Sequence, residues 1–254
     1  MLKQGLIACL LLLIIYFIAA PYVNSQSAYR SNYNNLYSQS NLPNNSSPNR
    51  ENVLIILDSS YSMEEKINGE RKIDIAKRSI NQVLNQLPPN VSVGLRVYGH
   101  KNGFMGFNAC KASELKVSIG LNNQSLIANE LLKIKPVGWT PISYSIEQAI
   151  NYDFSGLQGK NRIILVSDGM ETCNGSPCDY AVNLVKRNID LKIDVIGFDL
   201  SDAAVVSQLK CTALATKGKF FTANDANELA DSLNKSLNTS KEVQGKIITP
   251  KLKY

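Results

Sequence analysis

Asp58, Ser60 and Ser62 stand at alternate positions directly after an apolar run, Val53 to Leu57. All three side chains offer oxygen, and none offers nitrogen or thiolate. An oxygen-only donor set suits a hard divalent cation: Mg²⁺ first, with Mn²⁺ or Ca²⁺ as alternatives. The motif also has a bland reading, because Asp and Ser are common wherever a strand turns into a loop. Two further positions change the balance. Thr140 lies in Gly138-Trp139-Thr140-Pro141, and Asp168 lies in Ser167-Asp168-Gly169, at the end of a second apolar run from Ile163. Taken singly, Thr140 reads as a helix N-cap with Pro141 at the first helical position, and Asp168-Gly169 reads as a turn.

The elements around these residues explain how they could meet. Short unbroken apolar runs such as Val53 to Leu57 and Ile163 to Ser167 suit strands buried on both faces of a parallel sheet. Between and after them, helical stripes alternate with further strands. Ile73, Ala76, Ile80, Val83, Leu84 and Leu87 form one stripe, stopped by Pro88-Pro89. Leu126, Ile127, Leu131 and Ile134 form the next, and Ile142, Ile146, Ala149 and Ile150 the one after Thr140. Ser176, Ser201 and Asn224 are the expected starts of three later helices. Leu115, Val117 and Ile119 alternate and are expected on an antiparallel edge strand. The fold class is therefore α/β, Rossmann-like, with a mainly parallel central sheet and helices on both faces. In such a sheet the loops after the strands share one edge, where ligands bind. Asp58, Ser60, Ser62, Thr140 and Asp168 can meet there. Asp58, lying outside its apolar run, is expected to be dispensable for folding.

The chain has 254 residues, 44% of them hydrophobic, enough for one sizeable core. Its net charge of +6 is spread over scattered Lys and Arg, which argues against a nucleic-acid surface. Residues 1–25 read as a signal peptide or N-terminal membrane anchor: Lys3 precedes an apolar stretch from Leu6 to Ala20, and Val23 and Ser25 flank a cleavage point. Leu6-Ile7-Ala8-Cys9 is no lipidation box, because its apolar region follows Cys9. The expected location is exported: secreted, periplasmic or cell-surface, with the membrane touched only through this segment. Residues 26–50 read as a disordered Asn/Ser-rich linker, residues 51–238 as the folded domain, and residues 239–254 as a basic C-terminal tail.

Cys110, Cys173, Cys178 and Cys211 remain after the export segment. An even count in an exported chain points to two disulfides, with all three pairings open. Zinc is the alternative, on the spacing of Cys173 and Cys178.

The series Asp58-Ser59-Ser60-Tyr61-Ser62, Thr140 and Ser167-Asp168-Gly169 resembles the metal-ion-dependent adhesion site of the von Willebrand factor type A family. The resemblance runs over about residues 51–238. Tyr98-Gly99-His100 and Glu171-Thr172-Cys173, with Pro177-Cys178, resemble its exported bacterial members. The resemblance implies that Ser60, Ser62 and Thr140 bind the metal directly, that Asp58 and Asp168 act through water, and that a partner's acidic residue completes the octahedron. It implies metal-dependent protein–protein interaction or adhesion, and no catalysis. Tyr61 departs from the family's usual Gly, which bears on the local φ and on access to the metal. Three other readings compete. The fold could serve as a scaffold with a vestigial site. A Mg²⁺-dependent phosphoryl-transfer enzyme would need an acid where Ser60 stands, and a lysine for the phosphate that the sequence does not obviously supply. A serine hydrolase would lack the G-x-S-x-G elbow and depend on His100 alone as base.

Overall fold

The computed structural model describes residues 50–88, 90–101 and 108–237. The expected export segment, all of the linker but Arg50, and the basic tail lie outside the described residues. Among the described residues, no helix is long and apolar enough to cross a membrane.

The first strand, β1 (Glu51–Asp58), leads into a 3-10 turn at Tyr61–Glu64. A small hairpin follows, of β2 (Lys66–Ile67) and β3 (Glu70–Arg71). Asn68 and Gly69 form its turn, both with positive φ, as a type I′ hairpin requires. Helix α1 (Lys72–Leu84) then crosses to β4 (Val91–Tyr98), which pairs antiparallel with β5 (Ser113–Gly120). Helices α2 (Gln124–Lys133) and α3 (Ile142–Gln148) precede β6 (Lys160–Ser167). The chain ends as α4 (Pro177–Lys186), β7 (Leu191–Phe198), α5 (Ala203–Ala215), β8 (Phe220–Ala223) and α6 (Ala226–Leu237).

The six-stranded sheet has the order β5-β4-β1-β6-β7-β8. Every pair in it is parallel except β4 with β5 at the edge. The mixed sheet with one antiparallel edge strand is thus as the periodicity predicts. Strand β1 alternates its side chains between two cores. Val53, Ile55 and Leu57 pack with α1, α2 and α6, while Leu54 and Ile56 pack with α3, α4 and α5. All five are at most 1% exposed, which explains why β1 reads as an unbroken apolar run.

Four local expectations change. Leu126 is 56% exposed, whereas Ile127, Leu131 and Ile134 are buried, so the stripe of α2 starts one residue later than predicted. Thr140 is not a side-chain cap. Helix α3 begins at Ile142, flanked by Pro141, and Glu171 Oε2 accepts the Ser143 N–H at 2.7 Å. The cap of α5 is Asp202 rather than Ser201, with its carboxylate accepting from Ala204 N–H at 2.7 Å. Helix α6 is capped by Asp225, not Asn224. Asp225 Oδ1 accepts from Asn227 N–H at 2.8 Å and Glu228 N–H at 2.9 Å, and its carbonyl accepts from Leu229 N–H. In both cases the acid one residue nearer the helix reaches the free N–H groups and outcompetes the neutral side chain.

Asp225→Ala is therefore expected to lower stability by about 1 kcal/mol, and Asn224→Ala by clearly less. Urea denaturation of the two variants measures the difference, and equal losses would contradict the assignment of the cap.

Candidate functional site

Strand β1 stands between β4 and β6, and Asp58 is its last residue. Asp58 lies opposite Tyr98 in the β1–β4 ladder, and Leu57 lies opposite Val166 in the β1–β6 ladder. This register carries the face of Leu54 and Ile56 onward to Asp58, with Tyr98 and Ser167 beside it. Asp58 Oδ2 accepts from the Tyr98 hydroxyl at 2.8 Å and the Ser167 hydroxyl at 2.7 Å, and Oδ1 accepts from Ser60 N–H at 2.8 Å. Asp58 is 0% exposed. Burial pushes its pKa up, and the hydrogen bonds from Ser60, Ser167 and Tyr98 pull the other way. None of those donors carries charge. Although it lies outside the apolar run, Asp58 is buried and its carboxylate holds three donors from three segments of the chain, a role in the fold that its sequence position does not suggest.

Asp168, just past β6, faces Asp58 across the end of the sheet. Its Oδ1 accepts from the Ser62 hydroxyl at 2.7 Å, and Ser62 Oγ is 3.1 Å from Ser60 Oγ. Its Oδ2 accepts from Lys72 Nζ at 3.2 Å. Burial and the Asp58 charge push Asp168 up to about 7, outweighing the opposite pull of Lys72. Lys72 opens α1, and nothing local in the sequence marks it as part of the site. Its ammonium also reaches Glu65 at 2.7 Å and Asp199 at 3.0 Å, and these carboxylates more than offset the burial of the lysine, holding its pKa above the ordinary range. An ammonium has three N–H donors, and three carboxylates already take them. The lysine missing from the phosphoryl-transfer reading is present, but it has no donor left for a phosphate.

Thr140 comes to the same edge by backbone contacts. Ser60 bridges to Gly138, Tyr61 N–H donates to Gly138 O at 2.9 Å, and Val137 N–H donates to Ser59 O at 3.3 Å. On the other side, Thr140 N–H donates to Thr172 Oγ1 at 2.8 Å, and Thr172 N–H returns a bond to Thr140 O at 3.2 Å. Glycine is needed where the loops touch. A Cβ on Gly99, at φ +72°, would lie 2.6 Å from Ser60 N and 2.7 Å from Trp139 O, and one on Gly138 would lie 2.7 Å from Lys101 O. Tyr61 has no positive φ and is 74% exposed, so it enters the 3-10 turn without strain. His100 pairs with Glu114 at 3.0 Å, not with any of Ser59, Ser60 and Ser62. Glu171 and Thr172, which the sequence offers only as a resemblance, hold the start of α3 and the Thr140 backbone.

Two disulfides flank the site, Cys110–Cys173 and Cys178–Cys211. The first joins the segment before β5 to the loop carrying Glu171 and Thr172, and the second joins α4 to α5. With all four sulfurs bonded, none is free for zinc.

The donor chemistry fits a divalent cation. Neighbouring ligands of an octahedral Mg²⁺ at its usual bond length lie about 3 Å apart. The Ser60 Oγ–Ser62 Oγ and Ser62 Oγ–Asp168 Oδ1 distances, 3.1 and 2.7 Å, bracket that spacing. The buried Asp58 lacks a charged partner, and a dication would supply one. Among the described residues no three His, Cys, Asp or Glu side chains form a metal cage, so the hydroxyls are essential to any such site.

This sheet order and these loops are those of a family, and residues 52–235 match the von Willebrand factor type A domain. The chain belongs to that family. It is 36% identical over 188 residues to YwmD of Bacillus subtilis (strain 168), covering 72% of this chain and 84% of that protein. Its fold is similar to the vWF domain of the type V pili tip protein Mfa5 from Porphyromonas gingivalis, with a TM-score of 0.61 at 16% identity, covering 80% of this chain and 99% of that one. It is also similar to proximal thread matrix protein 1 from the mussel byssus, solved with a zinc-occupied MIDAS motif, with a TM-score of 0.58 at 16% identity, covering 76% and 46% of the two chains.

Without metal, Asp58→Ala is expected to destabilise the fold by about 2 kcal/mol or more, because it orphans buried donors. Asp58→Asn keeps the volume and one acceptor and should lose less. Chemical denaturation in chelator separates them, and an Asp58→Ala protein as stable as wild type would contradict the role of Asp58 in the fold.

Proposed function

We propose that Asp58, Ser60, Ser62, Thr140 and Asp168 hold one divalent cation, Mg²⁺ or a close substitute, in an exported metal-dependent interaction module. Ser60, Ser62 and Thr140 give neutral oxygens to the ion. Asp58 and Asp168 supply the negative charge, with Asp58 held in place from behind by Tyr98 and Ser167. The ion supplies Lewis acidity and a position that an acidic side chain of a protein partner fills. The observation that carries this reading is the cluster of Ser60, Ser62 and Asp168 oxygens at ligand-to-ligand spacing, beside a buried Asp58 with only neutral donors. The zinc-occupied site of the mussel relative and the pilus origin of Mfa5 support it by analogy of fold. Two disulfides fit an oxidising compartment. In this reading residues 1–25 direct export or anchor the chain, residues 26–50 are a linker to the domain of residues 51–238, and residues 239–254 form a tail.

Isothermal titration with Mg²⁺ and Mn²⁺ tests the site. Wild type should bind one ion, and Ser60→Ala and Thr140→Ala should lose most of the affinity while keeping the circular dichroism of the folded chain. Tyr98→Phe removes the hydroxyl that reaches Asp58 Oδ2 and Ser167 Oγ behind the site, and should weaken binding by about tenfold. No binding by wild type, or equal binding by the Ser60→Ala and Thr140→Ala variants, would leave the scaffold with a vestigial site as the better account.

A further inference from the structure

The distribution of exposed apolar side chains points to what surrounds the acid on the partner. Among the described residues, Leu126 and Leu132 are exposed on α2, Tyr152 on the helical turn after α3, Val185 on α4 and Leu214 on α5. Scattered exposure of that kind is ordinary. Tyr61, Trp139 and Met170 are different. They are 74%, 52% and 43% exposed, and each lies within two residues of a proposed ligand. Tyr61 sits between Ser60 and Ser62, Trp139 precedes Thr140, and Met170 follows Asp168-Gly169. The three loops are distant in sequence, yet backbone contacts join them. Tyr61 N–H bonds Gly138 O, next to Trp139, and Thr172 N–H bonds Thr140 O, tying Trp139's neighbour to the loop of Met170. Aromatic residues and Met are enriched at protein interfaces, and large apolar anchors there carry much of the binding energy.

We propose that Tyr61, Trp139 and Met170 form an apolar collar around the metal position, and that the partner is a protein segment whose acidic side chain is flanked by apolar residues. This rests on the metal-site reading above. Charge selects the centre of the segment. Lys72 is already matched by Glu65, Asp168 and Asp199, so the pull on an anion comes from the dication itself, whose neutral Ser60, Ser62 and Thr140 oxygens leave its charge only partly offset and whose open position prefers a carboxylate oxygen. Apolar surface selects the flanks. Polar neighbours of the acid would lose water against Tyr61, Trp139 and Met170 without gaining hydrogen bonds, whereas apolar neighbours bury apolar surface on both sides. Excluding water there also strengthens the contact between carboxylate and metal.

Trp139 is the only tryptophan in the chain, so its fluorescence reports on the collar directly. The full chain, saturated with Mg²⁺, is titrated with two synthetic pentapeptides that share a central glutamate. One has leucine and phenylalanine flanks, and the other has glycine and serine flanks. The apolar-flanked peptide is expected to shift Trp139 emission to shorter wavelength and to bind about tenfold tighter, which corresponds to burial of about two methylene groups. The double variant Tyr61→Ser, Met170→Ser should bind Mg²⁺ as wild type does and lose most of that preference. Equal binding of the two peptides, binding of neither, or an undiminished preference in the double variant overturns the collar. An emission shift that grows with protein concentration in the absence of peptide would assign the surface to a second copy of the chain and also overturns it. Calorimetry with Mg²⁺ alone separates the two levels. If no ion binds, the metal site and the collar fall together. If Mg²⁺ binds but the peptide preference is absent, only the collar falls.

Discussion

Asp58 buries a carboxylate at the end of a central strand, and every hydrogen-bond donor it has is neutral. Burying such a group is unfavourable unless several donors converge on it. Two of them come from strands on either side, Tyr98 of β4 and Ser167 of β6, and can reach it only in the observed register. A slip of one residue would turn each of these side chains to the opposite face and break both cores. The packing of the sheet and the poise of the site thus depend on the same alignment.

The position of β1 in the sheet explains why the loops gather there. Sequence order reverses beside β1, with β4 on one side and β6 on the other, so the loops leaving β1 and β6 border a crevice. The Thr140 loop enters it because Gly99 and Gly138 allow backbones to touch where any side chain would collide. Lys72 sits under the same crevice and neutralises part of its negative charge through Asp168. Full occupation of its ammonium by Glu65, Asp168 and Asp199 fixes it as a structural charge rather than a free donor. The Cys110–Cys173 bond and the carboxylate of Glu171 fasten the far rim.

Much of this was legible in the sequence because strands buried on both faces leave a plain signal. The runs Val53 to Leu57 and Ile163 to Ser167 gave the sheet interior, and the weaker alternation at Leu115, Val117 and Ile119 gave the edge. The meeting of Asp58, Ser60, Ser62 and Asp168 followed from strand direction alone. What periodicity could not supply was tertiary choice. Asp225 and Asp202 each won a cap over a neighbour that is an equally good capping type. Lys72 reads as an ordinary first-turn lysine of an amphipathic helix, and nothing local marks it as buried. Thr140 looks like a cap because Thr-Pro commonly starts a helix, but its N–H is taken by Thr172, thirty-two positions later. Cysteine pairing was open for the same reason, since it depends on which loops share a rim.

The central claim is that one cation sits among these oxygens. Crystals grown with Mn²⁺ and measured at a wavelength where manganese scatters anomalously test it directly. The account predicts a single strong anomalous peak bounded by Ser60 Oγ, Ser62 Oγ and Thr140 Oγ1, with Asp58 and Asp168 on its charged side. A peak elsewhere on the chain, or none at this edge of the sheet, would contradict it.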